Sequence, residues 1–131
     1  TAEKLKWDIG SASPEAAKDM ESAEVRGRDL VTGLPKTMQV SAEELSGALQ
    51  DVVAAIIDAI KSTLEETSPE IAADVIDHGI VLTGGGSLLK HLPDVIADAT
   101  KVPVFIANDP LDCVAIGTGE SLKSIDVMKK K

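Results

Sequence analysis

A chain of 131 residues has room for one ordinary domain or two small lobes. Its formal net charge of −9 excludes the basic stripe that a nucleic-acid binder needs. Tyr is absent and Trp7 and Phe105 are the only aromatics, so the core must be aliphatic and an aromatic platform for nucleic-acid bases is not expected. No apolar run approaches the ~20 residues of a membrane-spanning helix, and no signal-peptide pattern is found. The single cysteine, Cys113, precludes an internal disulfide and suits a reducing compartment. It stands among apolar residues without a histidine partner and reads as a small core residue, not a nucleophile.

Taken in order, the chain opens at Thr1, not Met, and is helical in pattern from its first residues. We therefore expect a piece of a longer protein. The first helix is stopped by Gly10, and Glu3 and Lys6, three apart, share a face as a solvated ion pair. Ser11 to Asp19, with Pro14, reads as a loop. A hairpin follows: Met20 to Leu30 is the first strand region, Val31-Thr32-Gly33-Leu34-Pro35 the turn, and Lys36 to Val40 the second strand. Period-two alternation puts Ala23 and Val25 on one face, with Met38 and Val40 inward. Arg26 and Arg28 read as surface charges on an edge strand.

Ser41-Ala42-Glu43-Glu44 is a capping box, opening a helix that runs to about Glu66. Leu45, Leu49, Val52, Ile56, Ile60 and Leu64 recur at spacings of three and four, widened by Val53 and Ile57. Ser68 and Pro69 open a second helix that ends near Asp77, with Gly79 as its stop and His78 on the surface.

Ile80-Val81-Leu82 is a continuous apolar run, the pattern of a strand buried on both faces of a parallel sheet. Thr83-Gly84-Gly85-Gly86-Ser87-Leu88 follows, with a short helix expected over Ser87 to His91. Glycine lets a ligand lie against bare backbone, and N–H groups at a helix head point at whatever binds there. The stretch is neither a Walker loop nor a G-x-G-x-x-G fingerprint, so a ligand-binding crest and a plain tight turn both stand. Pro93 opens a turn from Asp94 to Ala99, and Val102 to Ile106 is the next strand, with Pro103 at its beginning or on an edge. Asp109 and Pro110 are expected to open a last helix to about Ser124. Gly117 and Gly119 within it are expected to permit close backbone approach, and Lys129-Lys130-Lys131 to form a solvated tail. The fold class is α/β, with an α+β first lobe. Residues 1–77 form a lobe of helix, hairpin and helices. Residues 78–131 form a β-α-β-α unit, with parallel strands and a right-handed crossover, whose two-stranded sheet is incomplete.

The runs Thr1 to Lys6, Ile9 to Ala12, Arg26 to Lys36, Gly79 to Leu89 and Asp109 to Gly119 together resemble the C-terminal portion of the MreB/Mbl family, the bacterial actin-like proteins of cell shape. The likeness spans nearly the whole chain. It implies a partial actin/Hsp70-like ATPase fold, with residues 1–77 as most of subdomain IIB and 78–131 as the C-terminal part of subdomain IIA. It implies that the crest Thr83, Gly84, Gly85, Gly86, Ser87 and Leu88 lies against the adenosine of ATP. Glu3 and Lys6 would form the polar wall from the other side, with the backbone near Lys4 and Leu5 lining the pocket.

The resemblance further implies self-association into filaments and partnership with membrane-bound cell-shape and wall-synthesis proteins. The protein would be cytoplasmic and membrane-associated through parts absent from this chain. The family's phosphate-binding hairpins, its Mg²⁺-binding acids and its water-positioning residue match nothing here. No catalytic or metal-binding residue is therefore assigned, and this chain alone is expected not to hydrolyse ATP. Two alternatives remain: another actin/Hsp70/sugar-kinase ATPase, and an interaction module without nucleotide that docks through its long helix.

Overall fold

The computed structural model describes residues 1–129. Helix α1 (Ala2–Ile9) ends at Gly10. Gly10 has φ −68°, so its role is room and not handedness: a Cβ there would run into the Lys6 carbonyl. The expected loop after it is partly helical. Ser13 caps a four-residue α2 (Pro14–Ala17), its side chain accepting from the Ala16 N–H. Ser11 and Ala12 are fully buried.

β1 (Ala23–Arg28) and β2 (Pro35–Val40) form the antiparallel hairpin, in register from Ala23 opposite Val40 to Arg28 opposite Pro35. Asp29 organises the turn. Its carboxylate accepts from the N–H groups of Val31 (2.9 Å) and Thr32 (3.1 Å) and from Lys36 Nζ (3.2 Å). These contacts hold its pKa below the ordinary carboxylate value, the Thr32 and Val31 N–H groups contributing most. Met38, expected inward, is 55% exposed and belongs to neither apolar cluster, although Ala23 and Val40 beside it pack on one.

α3 (Ala42–Glu66) begins with both bonds of the capping box: the Ser41 side chain accepts from Glu44 N–H, and the Glu44 carboxylate from Ser41 N–H. α4 (Pro69–His78) follows. Ser68 stands at its N-cap but makes no side-chain bond, and Gly79 closes it at φ 83°. His78 is exposed, its Nδ1 2.9 Å from the Asp74 carbonyl.

β3 (Ile80–Leu82) pairs in parallel with β4 (Val104–Ile106). Between them lie a 3₁₀ turn (Gly85–Leu88), replacing the helix expected over Ser87 to His91, and α5 (Leu92–Thr100), replacing a turn. Pro93 fits in the first turn of α5, where a missing N–H costs nothing. β3 is not buried on both faces: Val81 is 59% exposed.

α6 spans Cys113–Ser121, starting later than expected because Asp109 takes φ 47° and turns the chain instead of capping it. A 3₁₀ turn (Leu122–Ser124) and α7 (Ile125–Met128) follow. A Cβ on Gly117 or Gly119 would meet nothing, so no close approach requires them among the described residues. Cys113 is half-buried, its Sγ 3.5 Å from the carbonyls of Asn108 and Asp109. Lys129 is exposed, and the rest of the expected lysine tail, Lys130 and Lys131, lies outside the described residues. No helix of the described residues is long and apolar enough to cross a membrane.

Two apolar clusters hold these elements. Ile9, Ala17 and Ala42 join α1 and α2 to the start of α3. Ala12, Val53, Leu92 and Ile96 join α3 to α5, so the larger core draws on residues from both sides of position 77. A parallel bridge between Ser11 and Lys90, with Ala12 N–H donating to the Lys90 carbonyl at 2.9 Å, ties the end of α1 to the segment after the 3₁₀ turn.

Candidate functional site

The glycine crest is built by strand, turn and collision. β3 delivers the chain to Leu82, whose carbonyl accepts from Ala107 N–H at 2.9 Å. Gly84 then turns at φ 79°, ψ 171°, a backbone region essentially reserved for glycine. Its N–H donates to the Pro110 carbonyl at 2.7 Å. Ser87 is 4% exposed, and its hydroxyl donates to the Gly84 carbonyl at 2.6 Å. Gly84 and Ser87 are therefore engaged in holding the turn.

Gly85 and Gly86 differ. Neither has positive φ. A Cβ on Gly85 would make an ordinary 3.4 Å contact with Leu111, and one on Gly86 would enter open space. Nothing in the described fold demands glycine at position 86.

Gly86 also borders a cavity of about 460 Å³. Helix α1 contributes Lys6 and Trp7, and α3 contributes Leu49, Val52 and Ile56. The crest side contributes Gly85, Gly86 and Leu88, with Leu89, Leu92 and Leu111 behind. The geometry of α1 follows from its anchoring. Leu5 and Ile9, one turn apart, pack toward Ala17 and Ala42, and the 100° step per residue then swings Lys6 and Trp7 toward the crest. Lys90 Nζ donates to the Asp8 carbonyl and fixes the end of this helix beside the turn.

Of the residues singled out from sequence, Lys6, Gly85, Gly86 and Leu88 border this cavity. Lys4 and Leu5 border a different hollow of about 640 Å³, between α1 and Ala23–Arg26. That hollow is larger but chemically quieter. Its cations are paired, Lys4 with Asp8 at 2.7 Å and Arg26 with Glu24 at 3.1 Å. Glu3, Thr83, Gly84 and Ser87 border neither. The expected Glu3–Lys6 ion pair is absent among the described residues: Lys4 pairs with Asp8 instead, and Lys6 pairs with no carboxylate.

Sequence reading missed Trp7 and the α3 residues of the wall. The periodic stripe of α3 pointed to burial, yet Val52 is 60% and Ile56 38% exposed, because the stripe is broader than the core it meets. Among the described residues no three His, Cys, Asp or Glu side chains gather as a metal site. The arrangement suits a flat, largely apolar ligand placed on bare backbone, with one cation at its edge.

A family model described as MreB/Mbl protein matches residues 1–130. The cell shape-determining protein Mbl of Bacillus cereus is 47% identical over 131 residues, a match covering all of this chain and 39% of that protein. The cell shape-determining protein MreB of Escherichia coli is 42% identical over 127 residues, covering 97% of this chain and 36% of that one. The crystal structure of MreB5 of Spiroplasma citri bound to ADP superimposes with a TM-score of 0.89 at 36% identity, covering 100% of this chain and 39% of that one. The chain thus spans a little over a third of the length of the relatives it matches.

Proposed function

Because the chain belongs to the MreB/Mbl family of actin-like, cell shape-determining proteins, we propose that it forms the nucleoside-facing side of an ATP-binding cleft in a longer cytoskeletal protein. That protein polymerises into filaments and directs cell shape and wall synthesis with membrane-bound partners. It is cytoplasmic and reaches the membrane through segments outside this chain. Residues 1–77 belong to subdomain IIB and 78–131 to subdomain IIA.

The observation that carries the reading is Gly86. The fold leaves room for a side chain there, yet the position holds glycine at the rim of an apolar cavity. A tight turn alone accounts for Gly84 but not for Gly86. Main chain at Gly85 and Gly86 lies against the nucleoside, Leu88 closes the floor, and Lys6 stands at the polar edge. Glu3 lies one helical turn before Lys6 and Trp7 on the same face of α1 and adds the second polar group of that edge. Thr83, Gly84 and Ser87 shape the crest from behind. Lys4 and Leu5 contribute by fixing α1, not by touching the ligand.

ATP, when bound, brings the phosphates and the Mg²⁺ that carry hydrolysis. This chain supplies the base and ribose side only and is inactive alone. Calorimetric titration of the full-length protein with ATP tests the reading. Gly86→Val, whose Cβ meets nothing in the fold, is expected to weaken binding strongly. Unchanged affinity would return the crest to a plain turn.

A further inference from the structure

We propose that the indole of Trp7 is the aromatic wall on which the purine base rests, making Trp7 a binding residue of this cleft. The inference builds on the nucleotide reading above. Trp7 is the only tryptophan, and its placement is not explained by packing. It is 66% exposed and belongs to neither apolar cluster, whereas Leu5 and Ile9 of the same helix do. The other aromatic, Phe105, lies against Gly79, away from the cavity. Trp7 is therefore the one aromatic residue lining the cavity, which Gly85 and Gly86 also border.

Helical spacing places Glu3, Lys6 and Trp7 on one face, three and four residues apart. The polar edge and the aromatic wall thus come from one side of one helix. Lys6, the only charged residue lining this cavity and without an ion pair among the described residues, comes from the same helix as Trp7. Composition argues against an extended stacking platform, but a single mononucleotide needs only one ring. Stacking is tolerant of base identity because every base has a π face, so this wall favours purines over no base without choosing between adenine and guanine.

The test uses the full-length protein, with Trp7→Phe and Trp7→Leu. Emission from Trp7 is isolated as the difference between wild type and Trp7→Phe. We expect ATP and ADP to change that emission and inorganic tripolyphosphate to leave it unmoved. Affinity for ATP is expected to fall about tenfold in Trp7→Leu, to be largely retained in Trp7→Phe, and tripolyphosphate binding to be equal in all three. If ATP binds wild type and Trp7→Leu equally with Trp7 emission unmoved, this inference fails while the nucleotide reading stands. If wild type binds no nucleotide, the reading itself fails and takes the inference with it.

Discussion

The hydroxyl of Ser11 lies 3.0 Å from Nδ1 of His91, eighty residues further along the chain. Ser11 is fully buried, and its oxygen also meets the N–H (3.1 Å) and carbonyl (3.0 Å) of Ser13. His91 holds a left-handed conformation, φ 62°, at the N-cap of α5. This small polar node joins the end of α1 to the start of α5 and so sets where the helix wall stands relative to the crest.

Ser11→Ala removes the node without changing the backbone, leaving the imidazole and the Ser13 N–H without their partner. We expect a loss of about 1–3 kcal/mol in urea unfolding, together with weaker ATP binding in the full-length protein as the walls loosen. Stability within a few tenths of a kcal/mol of wild type would show that the node is incidental.

Two glycines of the second half are demanded by backbone, and by different amounts. Gly84→Ala keeps open space around the new methyl and suffers only its φ of 79°, about 1–3 kcal/mol. Gly79→Ala adds a clash, with the Phe105 ring at 2.7 Å and the Pro103 carbonyl at 2.8 Å. It should therefore lower the unfolding midpoint further than Gly84→Ala. The reverse order would mean that the Gly79 turn relaxes more easily than its contacts suggest.

The legible parts of this chain were those set by neighbours in sequence. Ser41 and Glu44 read as a capping box and form both bonds, and the hairpin ends pair as alternation requires. Lys6, Gly85, Gly86 and Leu88 were marked and do share a cavity. What failed depended on distant residues. Met38 alternates correctly, but it joins neither apolar cluster and stays 55% exposed. Glu3 and Lys6 have pairing distance in sequence, yet no ion pair joins them among the described residues. Asp109 and Pro110 look like a helix start, but Gly84 N–H draws the Pro110 carbonyl into a turn that delays α6 to Cys113. Trp7 was invisible as a wall because its role appears only once α3 and the crest meet.

Acid should erase two local supports. The Ser41 N–H, with its hydroxyl, lowers the Glu44 pKa, and the turn N–H groups with Lys36 lower that of Asp29. A carboxyl whose folded pKa lies below its unfolded value stabilises fully above the unfolded value. Its contribution fades as pH falls through the folded one. Glu44→Ala and Asp29→Ala should thus unfold at lower urea than wild type at neutral pH, the gap closing toward strong acid. A gap that stayed constant into strong acid would assign the effect to something other than the charged carboxylates.

Val81 and Phe105 pair directly across the parallel sheet, 59% and 52% exposed, while Leu82 and Val104 pack on the core behind. Parallel sheets are normally covered on both faces, and a two-stranded one is marginal alone. The 131-residue chain in isolation should therefore associate through this face or exchange its amides fast and uniformly across 78–107. Val81→Lys should reduce association, read by light scattering, with little loss of stability, because the side chain already faces water. In the full-length protein the same substitution should destabilise, since we propose that helices outside this chain cover that face. A monomeric isolated chain with strongly protected amides at 80–82 would show that the two strands suffice by themselves. A harmless Val81→Lys in the full-length protein would show that the face stays bare.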